Sequence, residues 1–400
     1  MRRRAASALR GSVRVAVVLA LVAVASAAGA HEAAEHGDPE LLNHWRTQVH
    51  LLFQWAHLVA FALWVGGMLA ATRIRGMALE PLLFGSLGLF LVSLGTGTYN
   101  MEFGAATPDA PDVLSLPALS RRWPFGDAYI VLVGIKQGLL GLAVLWTLGV
   151  AVRHLRWPPD RSRDRLRAVF IAGAATLGLT LAAVTSAVLV LHEAIDIAPT
   201  PLHALGGVVG RFGPDELAAA QVATRAAPPP YGSDTLSLSA GLRLLLVPGA
   251  AVTAASRFGH LVGFALWLGG LAGALLAPAE ARRVLPLLWL GLALQAVTGV
   301  SQIATWVPFA TTPYPWRLSE MAHFRFGWTY TVLFTAKLAL AAIAALGTVA
   351  LSVLLVRSAP GKQASRWPRW IAGLSFVVGL ALAYVAVAML LVHEGVDHAL

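Results

Sequence analysis

The sequence has no cysteine. That absence removes disulfides, thiolate metal sites, iron–sulfur clusters and covalently attached haem c from consideration. Any metal the chain handles must be held by His, Met, Asp or Glu. Charge is scarce as well. Only 12% of the 400 residues are Asp, Glu, Lys or Arg, about half of the roughly 25% usual in soluble domains. With 57% hydrophobic residues, this excludes an ordinary soluble enzyme and points to lipid as the solvent. Acids are the scarcer sign, 20 against 30 Lys and Arg, for a net charge of +10.

What is present begins with a targeting pattern. Arg2, Arg3, Arg4, Arg10 and Arg14 precede the apolar run Val15 to Ala25, and Ala28-Gly29-Ala30 offers an A-x-A cleavage site before His31. Residues 1–30 read as a signal peptide, with an uncleaved signal anchor as the alternative. Either way the chain from His31 onward is delivered outside the cytoplasm, beginning with a short segment, 31–49.

Eight apolar stretches then follow, near 50–71, 81–101, 128–151, 168–191, 256–277, 284–306, 329–356 and 370–392. Each approaches or exceeds the roughly 20 helical residues that cross about 30 Å of hydrocarbon. Lipid offers backbone groups no partners, so such spans are helices. The fold class expected is an all-α integral membrane protein with eight transmembrane helices.

Charge orients them. The loops after the odd-numbered spans carry Arg73, Arg75, Arg153, Arg156, Arg161, Arg163, Arg165, Arg167, Arg282, Arg283, Arg357, Lys362, Arg366 and Arg369, against only Glu80, Asp160, Asp164 and Glu280. The positive-inside rule places these loops in the cytoplasm and both ends of the mature chain outside. The net positive charge is therefore a topology signal plus the signal peptide, and no nucleic-acid partner is implied.

An internal repeat is the strongest feature. His57-Leu-Val-Ala-Phe-Ala-Leu-Trp-Val-Gly-Gly67 returns as His260-Leu-Val-Gly-Phe-Ala-Leu-Trp-Leu-Gly-Gly270, identical at nine of eleven positions. Thr96-Gly97 returns as Thr298-Gly299, Tyr129 and Lys136 as Tyr330 and Lys337, and His192-Glu193 as His393-Glu394, at offsets of 203, 202, 201 and 201. The units are 50–196 and 254–400, joined by an outer linker, 197–253, in which a short helix is expected through Asp215-Glu216-Leu217-Ala218. Four spans per unit make the copies parallel, arranged as two tandem four-helix bundles about an axis along the membrane normal.

Eleven of the twelve histidines map to the outer half of the chain: His31, His36, His44, His50, His57, His192, His203, His260, His323, His393 and His398. Candidate metal ligands are His57, His192, His260 and His393, with Glu193 and Glu394 as carboxylates beside the span-end histidines. Met389 stands one helical turn before His393, where thioether and imidazole could share a soft ion. The plainer reading of the span-end His-Glu pairs is interfacial polar caps. The HEAAEH segment at His31 to His36 lacks the spacing of a zinc protease motif. If cleavage falls after Ala30, the free amine and imidazole of His31 could chelate copper jointly.

His57 and His260 differ in lying inside their spans, about 6 Å outward of the midplane at ~1.5 Å per residue. Lys136 and Lys337 reach a similar depth. Ionisable groups there are functional hypotheses by default. The alternatives are snorkelling for the lysines, and for the histidines an interhelical hydrogen bond to Ser93, Thr96 or Gln295. Thr96 and Thr298 complete the intramembrane polar set, and Gly66-Gly67, Gly95, Gly97 and Gly269-Gly270 allow close helix approach around it.

On these residues, the His57 to Gly67 opening, Thr96-Gly97, Tyr129 with Lys136, and their second copies, each unit resembles the membrane domain of the copper resistance protein D (CopD) family. The resemblance extends over nearly all of 45–400. It implies a bacterial plasma-membrane protein associated with copper uptake or handling. It also implies a possible partnership with an extracytoplasmic copper-binding protein or cytochrome.

Two functions are expected from different classes. In the first, outer His, Met and carboxylates capture copper and the buried His-Lys clusters carry or hold it, with no enzymatic step. In the second, each four-helix unit holds one b-type haem and the protein transfers electrons. Bis-His ligation needs two histidines at similar depth. His57 and His192 differ by about 12 Å along the normal, whereas His50, better matched in depth, has Thr253 as its counterpart. Copper therefore ranks first.

Overall fold

The computed structural model describes residues 45–105, 126–156, 162–197, 238–305, 327–357 and 366–397. These residues are helical almost throughout, with no strand among them. In chain order the helices are α1 (Trp45–Arg73), α2 (Leu79–Ala105), α3 (Gly126–Arg156), α4 (Ser162–Ile197), α5 (Leu238–Leu246), α6 (Pro248–Leu276), α7 (Leu285–Thr305), α8 (Gly327–Arg357) and α9 (Arg366–Asp397). A 3-10 turn, Pro278–Val284, joins α6 to α7. All but α5 are long and apolar enough to cross a membrane. The protein is thus all-α, with eight such helices among the described residues.

Helix starts follow local chemistry. Proline needs no intrahelical partner for its missing N–H in a first turn, and Pro81, Pro248, Pro286 and Pro368 all sit there. Glu80, Asp127 and Asp164 lie in first turns and Arg73, Arg153, Arg156 and Arg357 in last turns, the signs the helix dipole favours. Three buried hydroxyls inside the spans are satisfied within their own helices. Thr147 donates to the Ala143 carbonyl, Ser186 to Ala182 and Thr348 to Ala344, so they add no unpaired polar group to an apolar interior.

The outward faces are apolar too. Phe84, Leu91, Leu145, Val297 and Leu346 are exposed, the surface of helices whose surroundings are hydrocarbon. Helix α5, absent from the sequence expectations, fills the end of the linker. Its Leu238, Leu242 and Leu246 stand on one exposed face while Gly241 is buried against its neighbours. The helix expected near Asp215 lies outside the described residues.

Two compact units emerge from the contacts, and they cut the chain differently from the repeat. One comprises 56–317 and the other 1–55 with 318–400. In the larger unit α3 packs on α4, and α6 packs on both α4 and α7. Trp146 lies over Gly173, where a Cβ would come within 2.6 Å of the indole, and Trp64 meets Phe90 edge-on at 4.8 Å between α1 and α2. Trp267 of α6 is fully buried with Gly291 of α7 against it, so a small residue on one helix seats the large one of the next.

The Arg-rich end of this unit is tied by charged groups. Arg167 of α4 donates to the carbonyls of Ala71, Ile74 and Met77 at 2.7, 2.6 and 2.9 Å. The Ala71 carbonyl is an orphan acceptor in the last turn of α1, and Ile74 and Met77 belong to the turn that follows. Glu280 accepts the backbone N–H groups of Arg75 and Gly76 at 2.9 and 2.8 Å and pairs with Arg283. His154 of α3 meets Glu80 of α2 at 2.9 Å.

In the smaller unit α8 packs on α9, with Gly347 against Ser375. The start of α1 meets α9 there. The Trp55 indole donates to the Leu380 carbonyl at 2.9 Å, and Tyr384 donates to Gln48 at 3.1 Å.

Candidate functional site

Within the larger unit, His57 projects from α1 toward α2. Its Nδ1 lies 3.1 Å from the Ser93 carbonyl and 3.1 Å from Thr96 Oγ1. A carbonyl can only accept, so Nδ1 carries the proton. Thr96 donates its own proton to the Val92 carbonyl at 2.6 Å, which leaves its oxygen to accept from the ring. In the neutral imidazole the lone pair is therefore on Nε2.

The second copy repeats this arrangement. His260 Nδ1 lies 3.0 Å from Thr298 Oγ1, and Thr298 donates to the Leu294 carbonyl at 2.5 Å. Nδ1–H is again the donor and Nε2 the basic nitrogen. The partner expected at sequence level, an interhelical hydrogen bond to Ser93, Thr96 or Gln295, is present in each copy in a specific form. Ser93 serves through its carbonyl, and Gln295 donates to the backbone oxygen of His260 rather than to its ring.

The recurring Thr-Gly dipeptide now has a physical reason. Threonine receives the ring N–H, and the glycine after it leaves room for the ring edge. A Cβ at Gly97 would stand 3.1 Å from His57 Cε1, and one at Gly299 would stand 3.8 Å from His260 Cε1. Both threonines are buried.

Lys136 of α3 is half-buried, and its charge acts on the His57 ring. His57 and Lys136 both belong to the larger unit. Lys337 lies on α8 of the smaller unit, also half-buried, one and two turns beyond the stacked pair Phe334 and Tyr330. Met389 is buried on α9.

His192 and Glu193 fall in the last turns of α4, and His393 and Glu394 in the last turns of α9; their side chains lie outside the described residues. So do His31, His36, His44, His203, His323 and His398. Among the described residues, no group of three or more His, Asp or Glu is close enough to hold a metal ion.

Sequence reasoning missed several members of the second site. Ser256 donates to the Thr298 carbonyl at 3.1 Å, Gln302 lies 3.5 Å from the Ser256 carbonyl, and Arg257 is on the same stretch of α6. Their first-copy counterparts by offset are Phe53, Asn100 and Gln54, so a search for residues shared by both copies passes over them. His50, buried on α1, accepts from Gln54 at 2.7 Å.

No family model, curated protein or solved structure matches the chain.

Proposed function

We propose that the protein handles copper in a bacterial plasma membrane as a member of the copper resistance protein D family, with His57 and His260 as paired ligands to the ion in transit. The observation that carries this reading is the fixed Nδ1–H of both histidines, tied to Thr96 and Thr298. A metal-binding imidazole needs its second nitrogen engaged so that the first is basic and correctly aimed. Cu(I) is monovalent and soft, and imidazole and thioether suit it. The Lys136 charge beside His57 weakens retention of any cation there, which suits a site that must release its cargo. The outer set His192, Glu193, Met389, His393 and Glu394 would deliver the ion.

The test is Cu(I) binding by purified protein in detergent, in competition with a chromogenic chelator. Wild type should take copper from the chelator. His57→Leu with His260→Leu should weaken that binding at least tenfold without lowering abundance in the membrane. Wild type that leaves all copper on the chelator would overturn the reading.

A second reading, one b-type haem per unit, is favoured by a separate observation. Each site offers one tautomer-fixed histidine, the first has the Lys136 charge acting on it, and no cluster of three ligand side chains is found among the described residues. A porphyrin brings four nitrogen donors of its own, and its propionates would pair with Lys or Arg. A reduced-minus-oxidised spectrum with Soret, α and β bands would select this reading over copper.

The orientation proposed from charge puts the Arg-rich end in the cytoplasm. Cysteines introduced at Ala106 and Ser233 should react with an impermeant thiol reagent in whole spheroplasts, and one at Ser162 should not. Labelling at Ser162 would invert the topology and place both histidine sites nearer the cytoplasm.

A further inference from the structure

Helices α1 and α6 open the two copies, and they touch through equivalent positions. Gly66 and Gly269 are separated by the repeat offset of 203, and their backbones meet. A Cβ at Gly269 would overlap the Gly66 backbone, and one at Gly66 would overlap the Ala265 carbonyl. One turn on, a Cβ at Gly273 would stand 3.1 Å from that of Ala70, and these two positions are again 203 apart. Contacts 66 with 269 and 70 with 273 advance together, so the helices cross in parallel.

A residue that touches its own counterpart lies on a two-fold axis. We propose that the α1–α6 crossing is a self-complementary, two-fold interface, so that the chain is a covalently joined dimer of its four-helix unit. An even number of spans per copy permits a parallel crossing of this kind. The flanking contacts follow the same exchange. Within the larger unit α6, first helix of copy two, packs on α4, last helix of copy one. Within the smaller unit the start of α1, first helix of copy one, bonds α9, last helix of copy two.

The axis has a functional consequence. His57 precedes Gly66 by the same nine residues that separate His260 from Gly269, about 13 Å along each helix. The two histidine sites are thus duplicates at one depth, acting side by side rather than in series across the bilayer.

Only one glycine of each pair serves the crossing. A Cβ at Gly67 meets nothing within 4 Å, and one at Gly270 meets the side chain of Leu288 on α7. The experiment uses the full chain with a site-specific protease sequence inserted after Ser233, cleaved in membranes and then extracted in mild detergent. The two fragments should copurify in wild type and in Gly67→Ala. In Gly66→Leu and Gly269→Leu they should separate, to the same degree in both. A positive test that needs no destabilisation runs alongside: Ala70→Cys with Gly273→Cys in the uncut chain should form a disulfide on mild oxidation. Wild-type fragments that separate on extraction would overturn the proposal. So would leucine variants that copurify as wild type does, or a cysteine pair that stays reduced.

Discussion

In Arg167→Met the purified protein should melt roughly 6–12 °C below wild type, a loss of about 3 kcal/mol at roughly 2–4 °C per kcal/mol. The guanidinium donates to the carbonyls of Ala71, Ile74 and Met77. Ala71 offers an acceptor that the end of α1 leaves without an intrahelical partner, and the other two carbonyls lie in the turn after it. Hydrogen bonds to a charged group contribute about 1.5–3 kcal/mol each. Arg167 is only half-buried, so water replaces part of what is lost and the sum of three is discounted to about 3 kcal/mol. Arg167→Lys should recover little, because one ammonium cannot reach three carbonyls that a planar fork spans. Melting of Arg167→Met within a degree of wild type, followed by intrinsic fluorescence during heating, would show that the tie carries no stability.

Arg167 also marks the boundary of what the sequence reveals. In the sequence it is one of fourteen basic residues that orient the loops, and nothing in its neighbours distinguishes a cap from a solvated charge. The distinction is tertiary, because the carbonyls it meets lie about 90 or more positions away. Glu280 is similar: an acid in a basic loop by sequence, yet it holds the turn after α1. The eight spans were legible because lipid forces one secondary structure on any apolar run of sufficient length. Helix α5 was not, since nine residues with a polar face fall below that length and carry no such compulsion.

At the site, the repeat singled out His57, His260, Thr96 and Thr298 correctly as residues that meet. It could not say which nitrogen is protonated, since that rests on the Ser93 carbonyl and on Thr96 spending its own proton on Val92. Nor could it separate Gly66 from Gly67. Two adjacent glycines are alike in sequence, and 100° of helix rotation puts one against a neighbouring backbone and leaves the other open. Ser256, Gln302 and Arg257 escaped for a different reason: they belong to one copy only.

Lys136→Met should raise retention of Cu(I) at the first site while lowering its passage through the membrane. The side chain keeps its length and loses a charge that acts on His57. Two like unit charges within about 8 Å of each other at an effective dielectric of about 20 repel by about 2 kcal/mol or more, so removal of the lysine charge is expected to raise affinity about tenfold or more. On the copper reading the substituted site therefore holds its ion too well, and cells carrying it lose copper-dependent growth although abundance in the membrane is normal. On the haem reading the sign reverses, because a lysine that pairs with a propionate is lost and haem content falls. His57→Leu gives the control for both, removing the ligand itself, so copper retention and haem content each drop. The measurements are a blot for abundance, elemental analysis of purified protein, and a reduced-minus-oxidised spectrum, made on wild type, Lys136→Met and His57→Leu together. A snorkelling lysine with no part in the site leaves Lys136→Met equal to wild type in all three, and that result would dissolve the His57–Lys136 pair as a functional unit.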